Sequence, residues 1–157
     1  MVSPQGFNKL GSNAGIEKWD HDPGATTAII VSPDGGTTKR FVDMRDFERF
    51  AVAAMVTIVA AGGMTKLEIV AADDATGTNT IVIKDSGTIA ADAVGDWAFE
   101  ECSAAEVEQE SNDAGFASRF VAGRITMATS TDEAAVTYIP TRPKFPQKDL
   151  TPATTIA

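Results

Sequence analysis

A chain of 157 residues is a natural size for one domain and long enough to bury a proper core. Its 22 acidic against 13 basic residues give a net charge of -9, which disfavours a general nucleic-acid binder, because phosphate contacts need a basic face. A composition 43% hydrophobic and 22% charged excludes disorder, a single cysteine (Cys102) excludes an internal disulfide framework, and no apolar run approaches the roughly 20 residues that span a bilayer.

Residues 1–13 (MVSPQGFNKLGSN) lack a basic segment followed by an apolar one, so no secretory signal is expected and the chain is expected to be soluble and made in a cytoplasm. Residues 1–24 show no sustained period. Phe7, Leu10, Ile16 and Trp19 stand isolated among Gly, Asn, Ser and Pro, as in an arm that docks on its own domain or on a neighbour. Asp20 to Gly24 closes the arm with turn chemistry. Residues 25–31 (ATTAIIV) read as a strand, Ser32 to Gly36 as a turn and residues 37–44 (TTKRFVDM) as the returning strand of a first hairpin. Asp46, Phe47 and Glu48 form a short turn in this reading.

The stretch 49–72 (RFAVAAMVTIVAAGGMTKLEIVAA) organises the rest. Phe47, Phe50, Ala54 and Ile58 have near-helical spacing, so a buried helix competes with a strand. Val52, Val56, Ile58 and Val59 are β-branched and lose rotamer freedom in a helix. As a strand, Phe50, Val52, Ala54, Val56 and Ile58 share one face and Ala51, Ala53, Met55, Thr57 and Val59 the other. The strand is the preferred reading, paired with a second one after Gly62 and Gly63 that carries Leu67, Ile69 and Ala71. Two apolar faces imply a strand buried on both sides or covered by a neighbouring subunit.

Residues 73–79 (DDATGTN) are a polar loop, 80–84 (TIVIK) a short strand and 85–87 its turn. Residues 97–102 (WAFEEC) alternate, with Trp97, Phe99 and Glu101 opposite Ala98, Glu100 and Cys102. Ser103 followed by Glu106 is a capping-box pattern and predicts a helical turn through Gln109, ended by residues 111–115. Residues 116–129 read as a long strand, Asp132 and Glu133 as a turn, and 134–139 (AAVTYI) as its partner. Pro140, Pro143, Pro146 and Pro152, with Arg142, Lys144 and Lys148, mark an extended tail, since proline cannot donate to a ladder. Seven to nine short strands with one short helix predict a mainly β fold: a single antiparallel β-sandwich, or barrel-like sandwich, with extended N- and C-terminal arms. The expected boundaries are an arm at 1–24, the sandwich at 25–139 and a tail at 140–157.

Candidate chemistry is sparse. His21, the single histidine, sits between Asp20 and Asp22 with no second His or Cys to complete a zinc site. Cys102 reads as a small buried filler that a basic partner would have to activate. Asp73, Asp74 and Asn79 place oxygen ligands in one loop, without the spacing of an EF-hand. Residues 34–38 (DGGTT) lack the ending of a phosphate loop and read as a turn. Nine acids and no base lie between Asp85 and Asp113, a solvated surface or a patch for a basic partner. Within it Glu100, Glu101, Glu106 and Glu108 offer a weak case for paired carboxylates acting on glycosides. Trp19 and Trp97 are too few to argue a sugar platform.

Arg40-Phe-Val-Asp-Met44 leads through Phe47 and Phe50 into the apolar strand. Leu67-Glu-Ile-Val-Ala-Ala-Asp73, Gly77, Arg119-Phe-Val-Ala-Gly-Arg-Ile-Thr126 and Ala135-Val-Thr-Tyr-Ile139 follow. This pattern, over residues 38–150, resembles β-sandwich virion structural proteins of tailed bacteriophages, in particular small head-decoration (cement) proteins encoded near the major capsid protein. The resemblance implies a non-enzymatic protein with no catalytic, cofactor-binding or metal-ligating residues and no cofactor. It implies a homo-oligomer, trimer or dimer, on the outer surface of the major capsid protein lattice, located in the virion and gripping neighbours with terminal arms, with no nucleic-acid or membrane partner. The alternatives are a tail-tube subunit, a head–tail connector, or a receptor- or carbohydrate-binding accessory of the virion.

Overall fold

Alternation with period two becomes strand wherever the sequence offers it. The structure is a computed structural model, and it describes residues 16–20, 28–31 and 41–144, with the backbone alone at 16–20 and at Pro143. In chain order the described elements are β1 (Ile16–Asp20), β2 (Ile29–Ile30), β3 (Val42–Asp43), β4 (Phe47–Ile58), β5 (Met64–Ala72), β6 (Ile81–Asp85), β7 (Trp97–Ser103), α1 (Ala104–Asp113), β8 (Phe120–Met127) and β9 (Glu133–Pro143). The fold is mainly β, and the helix considered for residues 47–59 is a twelve-residue strand.

Two antiparallel sheets face each other. The first has the order β1-β9-β4-β7; the second has β2-β8-β5-β6, with β3 also on β8. Phe50, Val52, Ala54 and Val56 of β4 turn inward with Val136 and Tyr138 of β9, against Leu67 and Ile69 of β5 and Val121 and Ile125 of β8; all are buried. Burying each Val, Leu, Ile or Phe of this set stabilises the fold by about 1.5–3 kcal/mol. The Tyr138 ring meets Phe50 edge-on, with centroids 5.1 Å apart. Its hydroxyl crosses the core, donating to the Val31 carbonyl at 2.9 Å and accepting the Gly123 N–H at 2.8 Å. Gly123 makes room for that crossing, because a Cβ there would stand 2.8 Å from Val52 Cγ2 and 3.0 Å from Tyr138 Cε1.

The pairing of these strands departs from what neighbouring alternation suggests. Instead of pairing, β4 and β5 lie in opposite sheets, linked by a crossover through residues 60–63. Gly63 takes φ +67° there, with its α-carbon hard against the Ala91 carbonyl, where no side chain fits. Likewise β9 leaves β8 for the first sheet and pairs with β4 from Pro143 opposite Phe47 to Glu133 opposite Ile58. The buried Asp132 carboxylate ties both crossovers together. One oxygen accepts the N–H groups of Ala60 (2.6 Å) and Ala61 (3.1 Å); the other accepts the Thr129 N–H (3.0 Å) and hydroxyl (2.9 Å).

Among the described residues, the two strands of the first expected hairpin do not pair with each other. Both β2 and β3 pair with β8 in the same antiparallel sense, Ile29 opposite Ile125 and Val42 opposite Val121. Together they make one interrupted edge of the second sheet. Residues 32–40, including the expected turn, lie outside the described residues.

Strand limits shift for local reasons. Residues 116–119 are not strand: the Ser118 N–H is bound by Ser111 Oγ (2.6 Å) and the Ser118 hydroxyl by Asp73 (3.0 Å), which ties this segment to α1 and to the 73–79 loop. The helix runs to Asp113, beyond the single turn expected, because Val107 and Ser111 give it a buried face. Strand β1 falls within the stretch read as an arm, and β9 continues to Pro143. Within β9, Pro140 stands opposite Phe50 and Pro143 opposite Phe47 of β4. The remainder of both expected arms lies outside the described residues.

Candidate interaction surface

The outward face of the first sheet is built by register. Across it, Trp97 of β7 stands opposite Met55 of β4, which stands opposite Ala135 of β9; the next row is Phe99, Ala53 and Thr137, and the next Glu101, Ala51 and Ile139. The inward side of these strands already has the core, so the same alternation drives these side chains outward. The result is an apolar strip in water: Trp97 is 69% exposed, Met55 46% and Phe99 43%, and Val94 in the loop before β7 is 68% exposed. The alanines form a low floor beside the aromatic wall. Its one charged pair is internal, Arg49 bonded to Glu101 at 2.6 Å. Asp92 and Asp96 precede Trp97, and Glu101 follows Phe99, so acids stand at both ends of the strip along β7. The sequence implies a β4 buried on both sides or covered by a neighbouring subunit; among the described residues its outer face carries exposed Met55 and Ile58.

Among the described residues the second sheet exposes one large apolar side chain, Val82 of β6. Val70, Ala72 and Ala122 are buried, and its charges answer one another: Arg124 binds Glu68 through two nitrogens at 2.7 and 2.9 Å, and Lys66 bridges Glu68 (3.0 Å) to Asp85 (2.8 Å).

Residues singled out from the sequence are not brought together. Burial pushes the Cys102 thiol up to about 12, so it stays protonated and unreactive in the folded chain. In the 73–79 loop, the side chains and backbone of Thr78 and Thr76 donate to Asp74 and hold its carboxyl well below the usual range. Asp73 accepts from Asn79, Ala117 and Ser118. The loop's oxygens are therefore spent on its own shape, and among the described residues no group of three His, Cys, Asp or Glu is placed to hold a metal ion.

The glutamates divide by environment. Glu101 lies on the outer face. Burial holds the Glu100 carboxyl above its usual range. Glu106 caps α1 by accepting the Ser103 N–H (2.8 Å) and binds Lys84 at 2.6 Å, which with the Ser103 bonds lowers it to about 2. That value suits no general acid near neutral pH. Trp19 sits at backbone level in β1 opposite Ala134, while His21 and residues 34–38 lie outside the described residues.

A cleft of about 290 Å³ opens between α1 and the starts of β4 and β8, lined by Ala104, Val107 and Glu108 on one side and Arg45, Arg119 and Lys144 on the other. Its cations are engaged: Arg45 binds Asp43 at 2.6 Å, Arg119 approaches the same carboxylate at 3.5 Å, and Lys144 donates to the Met44 carbonyl at 3.1 Å. No family model matches the chain, and no curated protein or solved structure matches it either.

Proposed function

We propose that the chain is a non-enzymatic virion protein of a tailed bacteriophage, a head-decoration protein that binds the outer surface of the major capsid protein lattice and stabilises the head. The observation that carries the binding role is the solvent-facing strip of Trp97, Phe99 and Met55, because aromatic and Met side chains on a sheet face gain most from a protein partner that dehydrates them. The choice of partner rests on the resemblance of the sequence pattern to cement proteins. Repetition supplies the strength: many copies, each holding two or more capsid subunits through weak contacts, raise the barrier to lattice opening.

A carbohydrate-binding accessory is the second reading, favoured by the exposure of Trp97. Sugar recognition also needs free polar groups beside the aromatic ring, whereas Trp97 has Met55 and alanines for neighbours and Glu101 is held by Arg49. The protein-partner reading is preferred.

The arms are the second grip. Deletions that spare β1 and β9 remove residues 1–15 or 145–157. Each is expected to leave the sandwich folded and to reduce occupancy on purified shells in a pelleting assay. Full occupancy by both truncated chains would dismiss the arm mechanism.

A further inference from the structure

We propose that the cleft between α1 and the starts of β4 and β8 binds a single carboxylate carried on a short carbon stem, the chemistry shared by small organic acids and by the Asp and Glu side chains of a partner protein. Three cations, Arg45, Arg119 and Lys144, line one side of it. Their bonds within the protein leave most of their donors unspent. Arg45 commits Nε and Nη2 to Asp43, which leaves Nη1. Arg119 approaches the same carboxylate through Nε alone, at 3.5 Å, so the fork of its two Nη atoms meets no acceptor among the described residues. Its guanidinium lies over the Phe120 ring, 4.8 Å from the centroid, which fixes the plane of that fork. Lys144 gives the Met44 carbonyl one of its three ammonium protons.

The helix adds a donor. Ser111 of α1 lines the cleft, is only 2% exposed, and accepts the Ser118 N–H at 2.6 Å. Its own hydroxyl proton has no acceptor among the described residues. A buried hydroxyl in that condition gains by donating to a ligand.

The rest of the lining selects the class of anion. Val107 and Ala104 set apolar surface beside the donors, which suits a ligand that brings carbon next to its charge. A volume of about 290 Å³ is at the small end of ligand pockets, which begin at about 300 Å³. Glu108 also lines the cleft, Asp43 stands behind the arginines, and Asp46 acts on Arg45 through space. Net charge therefore gives no pull on a dianion, and a phosphate would bring its second charge towards Glu108. What remains is a set of directed donors, and a planar carboxylate meets the Arg119 fork through two parallel bonds. The site shares no residue with the Trp97–Phe99 strip and does not depend on the virion assignment.

Titration of the ¹⁵N-labelled full chain, followed by NMR at constant ionic strength, tests this. Butyrate stands for a free acid, N-acetylglutamic acid amide for a partner's side chain, butyramide for the uncharged shape and inorganic phosphate for the dianion. Saturable shifts at the Ser111, Ser118 and Arg119 amides are expected with one or both carboxylates, and the tighter of the two identifies the source. Arg119→Gln should weaken binding by about tenfold or more, the worth of a lost charge-assisted bond. Glu108→Gln should strengthen it, a gain that a merely structural role would not produce, and circular dichroism shows that each variant remains folded. The inference is overturned if neither carboxylate gives saturable shifts, if butyramide matches them, or if phosphate binds more tightly. It is equally overturned if either variant binds like wild type.

Discussion

Removing the Tyr138 hydroxyl would leave the Gly123 N–H and the Val31 carbonyl unmet in the core. Tyr138→Phe is therefore expected to lower unfolding free energy by about 1–3 kcal/mol in urea titrations, more than loss of an exposed hydroxyl. No pattern in the sequence announces this, because the partners lie 107 and 15 positions away and one of them is a glycine. Glu106 is the opposite case, since Ser103 three residues before it is a local signal and both capping-box bonds are present. Lys84 then holds its carboxyl at about 2 against an ordinary 4.5. The folded value is the lower one, so the unfolded chain takes up the proton first. The stabilisation is complete above about pH 4.5 and drains away as pH falls towards about 2. Glu106→Gln keeps an acceptor for the Ser103 N–H and loses the charge. Its urea midpoint should depend less on pH than that of wild type between those limits; an unchanged pH dependence would contradict the assignment.

At the scale of elements, most strands were legible and their partners were not. Alternation in residues 97–102 and the two-faced run in 50–58 identify β7 and β4 with their inward and outward sides, because side-chain direction is a local property of the backbone. Pairing is not local. The links β4 to β5 and β8 to β9 resemble hairpin turns in composition, yet each crosses between sheets, and what directs them is a carboxylate from one link bonded to the backbone of the other. Asp132→Ala would leave the N–H groups of Ala60, Ala61 and Thr129 without their acceptor and is expected to cost about 2–4 kcal/mol. Burial acts to raise the Asp132 carboxyl, and the backbone donors outweigh it to keep the group below the usual range. A variant as stable as wild type in urea would show that the crossovers hold without this tie. The outer strip was half legible: the second apolar face of β4 pointed to it, but its exposure and its aromatic wall depend on β7 being the neighbour.

For the whole molecule, two sheets close over one core and, among the described residues, leave an apolar strip on the first sheet exposed, on a chain of net charge -9 that disfavours unspecific association. Such a surface has a use when it meets a complementary protein many times over, as on a lattice. The proposed head-decoration role is tested most directly by quantitative mass spectrometry of purified virion particles, counting copies of the chain. The account predicts a fixed ratio of copies to the major capsid protein, set by the lattice. Intact heads without the chain, or only a handful of copies per particle, would contradict it.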